Sequence, residues 1–111
     1  MSKFMEIARL YLEAYQSKDL LRIEGMLSDT VELEDWNLST KGKTNSLAET
    51  KKNFESAQDI EITIEAIFQH ENQIAAQLEI KIDSGSIVLH AVDVISFNEA
   101  GQITSVRAYK G

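Results

Sequence analysis

The strongest constraint on this chain is a change of hydrophobic period near residue 59. Beyond it, Ile60, Ile62 and Ile64 alternate with Glu61, Thr63 and Glu65, and Ile74, Ala76, Leu78, Ile80 and Ile82 repeat the pattern after the turn "HENQ". A period of two places alternate side chains on opposite faces, so these segments read as half-buried antiparallel strands. "DSGS" then turns into "IVLHAVDVISF", and "NEAGQ" into "ITSVRAYKG", each turn carrying the glycine that a tight hairpin favours. Residues 87–97 are apolar on both faces: Ile87, Leu89, Ala91, Ile95 and Phe97 with Asp93 on one, Val88, Val92 and Val94 with His90 on the other. Such a strand is central, with helices covering one face. In a short chain a second copy is the expected cover for the other, so a homodimer through the sheet is predicted.

Before residue 59 the period is helical. Phe4, Ile7, Ala8, Tyr11, Leu12 and Tyr15 recur at three- and four-residue steps, predicting a helix over 3–17 with Ser2 as N-cap. Asp19 can cap a second helix over 20–27, with Leu20, Ile23, Met26 and Leu27 inward. A strand follows in "VELEDW", then a polar loop "NLSTKGKTN". "SLAE" at 46–49 has the spacing of a capping box and predicts a third helix to Ser56, with Leu47, Ala48 and Phe54 as a thin apolar face. One domain over residues 1–111 is expected, in the order α-α-β-α-β-β-β-β.

Charge and composition narrow the function. The net charge of −7, with 18 acidic against 11 scattered basic residues, argues against nucleic acid and anionic membrane as partners. No stretch approaches the ~20 apolar residues of a membrane span, and no apolar run has signal-peptide length. A soluble, cytoplasmic protein is the expectation. With no cysteine, disulfides and Cys-rich zinc sites are excluded. Glu32 and Glu34 read as a wet face, and no spacing converges His70 or His90 with carboxylates, so neither metal nor cofactor is expected.

Three polar groups fall on apolar faces. In "VELEDW", Val31, Leu33 and Asp35 share a side; Asp93 interrupts the central strand; Tyr11 lies on the buried face of the first helix. An ionised carboxylate in an apolar pocket can act as a general base, while one protonated by burial can donate a hydrogen bond beside a tyrosine hydroxyl. Each residue also has a structural reading: Asp35 as a strand-end turn former, Asp93 as a satisfied buried carboxyl or interface ion pair, Tyr11 as core. His90 reads as interface packing, Trp36 as a pocket lid or an interface aromatic, and Arg107 and Lys110 as solvent-facing.

The element order and the ending "DVISFNEAGQITSVRAYKG" resemble the nuclear transport factor 2-like (NTF2-like) superfamily, in its ketosteroid-isomerase and SnoaL-like branch. The shared ending comprises Asp93, Gly101, Ile103, Ala108 and Tyr109. The resemblance implies an α+β cone-shaped fold, three N-terminal helices packed on a curved, mostly antiparallel sheet. It also implies roles: Tyr11, eight residues before Asp19, as oxyanion donor; Asp35, sixteen residues after Asp19 in an acidic pair with Glu34, as base; and Asp93, heading "DVISF", as a protonated donor. The expected function is an isomerase- or cyclase-like enzyme that moves a proton next to a carbonyl in a small hydrophobic molecule. The alternative is a non-catalytic ligand-binding or dimerisation module.

Departures from the isomerase pattern bear on the pocket. "DW" replaces "DP" after the base, the loop to Gly42 is about two residues shorter, and Leu27 and a third-helix Lys or Thr stand where supporting tyrosines occur. Lys110 follows "AY" in place of an aromatic. A reshaped pocket mouth, too small for a steroid, is expected.

Overall fold

The structure, a computed structural model, describes residues 2–111. Helices α1 (Lys3–Gln16) and α2 (Leu20–Met26) lead into β1 (Leu27–Glu34) and the short β2 (Ser39–Lys41). Helix α3 (Lys43–Ser56) follows, then β3 (Ile60–His70), β4 (Gln73–Ile82), β5 (Ile87–Phe97) and β6 (Ile103–Lys110). The six strands form one curved sheet in the order β2-β1-β6-β5-β4-β3. All neighbours are antiparallel except β1 and β6, which run parallel. This is the α+β architecture expected, with three helices in the N-terminal half and an open, mostly antiparallel sheet.

Local chemistry sets the element ends. Met5 N–H donates to Ser2 Oγ at 3.0 Å and Arg22 N–H to Asp19 Oδ1 at 3.1 Å, so both N-caps act as the sequence suggests. Alternation in β4 buries Ile74, Ala76 and Leu78, and in β5 Ala91, Ile95 and Phe97. Ala8, Tyr11, Leu12 and Ala14 of α1 cover this face, and Phe4 stacks on Phe97 with ring centroids 4.9 Å apart. Complete burial of each large aliphatic side chain here contributes on the order of 2 kcal/mol. The β5–β6 turn closes at Gly101, whose φ of +84° suits glycine; an added Cβ would also lie 2.9 Å from Lys3 Cε.

Four local expectations are corrected. The loop at 37–45 contains β2, which pairs with β1 from Glu32↔Lys41 to Glu34↔Ser39. Helix α3 starts three residues before Ser46, with Gly42 at the N-cap. Ser46 is therefore no capping residue: it lies inside the helix, 1% exposed, and its hydroxyl has no hydrogen-bond partner. The buried face of α3 accordingly runs through Ser46, Thr50 and Phe54, while Ala48 is exposed. Leu27 opens β1 and does not close α2.

Candidate active site

Between the inner face of the sheet and the helices lies a cavity of about 360 Å³, and Tyr11, Asp35 and Asp93 all line it. Its walls are mainly aliphatic, with Leu33, Ile60, Ile62, Leu78, Ile80 and Leu89 among them. The volume sits at the small end of the range for ligand pockets, roughly 300–1,000 Å³.

Each polar group arrives by a different structural route. Asp93 points inward from β5, where its cross-strand neighbours are Ala76 on β4 and Ala108 on β6. Two alanines flanking a carboxylate cannot cover it, so it forms part of the cavity wall. Tyr11 reaches the same space from α1 and is 3% exposed.

Asp35 comes from the end of β1. The parallel register Leu33↔Val106 and Glu34↔Arg107 brings the next residue level with Ala108, which in turn pairs with Asp93. The two carboxylates thus belong to one row across the sheet with β6 between them, a backbone separation of about 10 Å from two strand spacings. That gap can hold a small substrate.

Asp35 is also a turn former. Its backbone N–H donates to Leu38 O at 2.8 Å, and its Oδ1 accepts from Asn37 N–H at 2.7 Å. The strand-end reading and the cavity-lining placement hold together, because only one carboxylate oxygen takes this bond.

Electrostatics separate the groups. Burial, and then the charge of Asp35, raise the Asp93 pKa from 3.8 to about 7. Near neutral pH Asp93 is therefore partly protonated and able to donate. Burial, with Tyr15 and Asp93 adding to it, pushes the Tyr11 hydroxyl well above its ordinary value, so it remains a donor throughout the neutral range.

Several cavity residues carry no distinct sequence signal. Glu34, expected on the wet face, lines the cavity together with Trp36 and Leu38, because the chain leaves the strand at Asp35 and alternation ends there. Tyr15 and Asn53 line it as well. Lys110 Nζ lies over the Trp36 ring, 5.8 Å from its centroid, which ties the end of β6 to the cavity mouth.

The outer face of the sheet carries a cluster that sequence spacing does not reveal. Glu65, Glu79 and His90, on three adjacent strands, bring their ligating atoms within 4.8 Å of one another, so His and carboxylates do converge. Lys81 Nζ shares Glu79 at 3.8 Å.

The family model of the SnoaL-like domain matches residues 8–106. The chain belongs to the SnoaL-like family. No curated protein matches it significantly in sequence. Among solved structures, a SnoaL-like-family isomerase candidate from Agrobacterium tumefaciens superposes with a TM-score of 0.85 at 19% identity, covering 100% of this chain and 99% of that one. A SnoaL-like polyketide cyclase candidate from Shewanella putrefaciens gives 0.88 at 10% identity, covering 99% and 80%. An LEH-like epoxide hydrolase from Mycobacterium tuberculosis gives 0.82 at 16% identity, covering 98% and 83%. At these identities the likeness is one of fold, and relatives of different named activities share it. Among the described residues, no helix is long and apolar enough to cross a membrane.

Proposed function

We propose that this SnoaL-like protein is a small-molecule isomerase- or cyclase-like enzyme that transfers a proton at the carbon beside a carbonyl. Asp35 takes the proton from that carbon, the C–H electron pair forms the enolate carbon–carbon bond, and the carbonyl π pair moves onto oxygen. Tyr11 O–H and protonated Asp93 donate hydrogen bonds to that oxygen; Asp35 then returns the proton to a carbon of the conjugated system. No external oxidant or reductant is needed.

One observation carries the reading. A carboxyl whose pKa is raised by burial to about 7 shares an apolar-walled cavity with a second carboxylate and a buried tyrosine. Two carboxyl groups driven apart in acidity can act as donor and base at one pH. The cavity volume of about 360 Å³ favours a compact, apolar substrate.

Ligand binding without catalysis is the second reading, and the bond from Asn37 N–H to Asp35 Oδ1 favours it by giving Asp35 a structural task. Titration with a graded phenol series separates a donor pair from a plain apolar pocket. Phenolates resemble the enolate, so the proposed site binds them more tightly than their neutral analogues. Equal affinity for both forms would remove the oxyanion site.

We further propose a homodimer through the outer sheet face. Phe68, Val88 and Tyr109 lie there at 61%, 47% and 55% exposure, and register places Ala75, Val92 and Val94 beside them.

A further inference from the structure

Tyr15 follows Tyr11 by four residues on α1, so the two phenols project from the same face one helical turn apart. Their ring centroids are 6.2 Å apart, and both rings border the cavity that contains Asp93 and Asp35. The Tyr15 ring is fixed from the other side by Phe54, edge-on at 4.9 Å.

The hydroxyl of Tyr15 has a neighbour of its own. Asn53, on α3, donates from Nδ2 to the Tyr15 oxygen at 3.1 Å. A phenol that accepts a hydrogen bond from an amide keeps its proton free for another acceptor, and accepting strengthens it as a donor. Were Asn53 merely bridging the two helices, this polarity would have no consequence in the cavity.

We infer that Tyr15 is a second phenolic donor to the developing oxyanion, and that Asn53 is a positioning residue which occupies the Tyr15 oxygen and thereby turns its proton into the cavity. The inference rests on the proposed oxyanion site and extends it from two donors to three. The electrostatics agree: after burial and the Asn53 bond, the charges of Asp93 and Asp35 are the further influences on Tyr15, so its hydroxyl stands near both proposed catalytic carboxyls.

The test uses the full chain and 4-nitrophenol, whose ionised and neutral forms differ in absorption, with 4-nitrotoluene as an uncharged control of similar shape. Wild type is expected to bind 4-nitrophenol with the ionised fraction increased over that in buffer. Tyr15→Phe should weaken nitrophenolate binding about tenfold or more, the loss of one charge-assisted hydrogen bond, and leave 4-nitrotoluene binding unchanged.

Asn53→Leu is the decisive variant. Without the amide the Tyr15 oxygen is unoccupied and its proton is free to turn away from the cavity, so nitrophenolate binding should weaken in the same direction as in Tyr15→Phe. The double variant should then be no weaker than Tyr15→Phe alone, because Asn53 acts only through the Tyr15 hydroxyl.

Four results would overturn the inference. Equal weakening of nitrophenolate and nitrotoluene by Tyr15→Phe would reduce Tyr15 to a packing residue. Additive losses in the double variant would mean that Asn53 acts directly on the ligand and not through Tyr15. Loss of the ionised-form preference in Tyr11→Phe and Asp93→Asn, but not in Tyr15→Phe, would leave the oxyanion site standing without its third donor. Absence of any preference in wild type would remove the oxyanion site and this inference together.

Discussion

Replacing Asp93 by Asn should make the protein more stable, by a margin that grows from about pH 4 and is complete above about pH 7. The folded carboxyl has its pKa raised from 3.8 to about 7, chiefly by burial and next by the Asp35 charge. Below the lower value both folded and unfolded chains hold the proton, and Asp93 has no pH-dependent effect on stability. Between the two values the unfolded chain releases a proton that the folded chain retains, so folding stability falls as pH rises. Above about 7 both states are ionised and the whole cost remains. At about 1.4 kcal/mol per pH unit, that cost approaches about 4 kcal/mol.

Asn has nearly the same shape and does not titrate, so Asp93→Asn removes this cost. Urea denaturation of both proteins should give curves that nearly coincide at about pH 4 and separate by about 2–4 kcal/mol at about pH 8, with Asn the more stable. A difference independent of pH, or destabilisation by Asn at about pH 8, would refute the claim that burial holds this carboxyl near neutrality.

Other consequences follow from the same geometry. Activity should fall as pH rises through about 7, where Asp93 loses its donor proton, and the pH–rate profile of wild type checks this. Asp35→Asn removes the charge that helps to raise Asp93, so the Asp93 titration followed by carboxyl NMR should move to lower pH; an unchanged midpoint would separate the two groups. Ser46→Ala should stabilise the fold by about 1 kcal/mol in denaturant titrations, since it deletes a buried hydroxyl without a partner and improves helix propensity; destabilisation would contradict the unsatisfied state. Val88→Glu should convert a dimer to monomer in analytical ultracentrifugation, and a wild type that is monomeric at micromolar concentration would dispose of the sheet-face dimer.

The order of helices and strands was legible because each element carries its own period. Ile60 to Ile64 and Ile74 to Ile82 could only alternate, and Ser2 and Asp19 capped where their spacing said. The start of α3 misled because "SLAE" satisfies a capping-box pattern while Gly42, in a left-handed conformation, begins the helix earlier. Pairing was not legible: nothing local in Val31 to Glu34 reports that β1 runs parallel to β6, and that pairing brings Asp35 into the row of Asp93. Tyr11, Asp35 and Asp93 could be singled out as polar residues on apolar faces, and their sharing one cavity was expected only from the family resemblance, because no local pattern reports it. Tyr15 meets its hydrogen-bond partner Asn53 from 38 residues away, and the meeting of Glu65, Glu79 and His90 depends on strand register, so neither had a sequence signature.

Proton exchange tests the central claim most directly. A simple cyclic enone incubated with the protein in deuterium oxide and followed by NMR should exchange its acidic C–H faster than in buffer. Asp35→Asn should abolish that excess while retaining or strengthening nitrophenolate binding, because the base is gone and its charge no longer repels the bound oxyanion. Wild-type exchange no faster than buffer, with Asp35→Asn indistinguishable from wild type, would contradict the assignment of Asp35 as a base and leave a cavity that binds without catalysing.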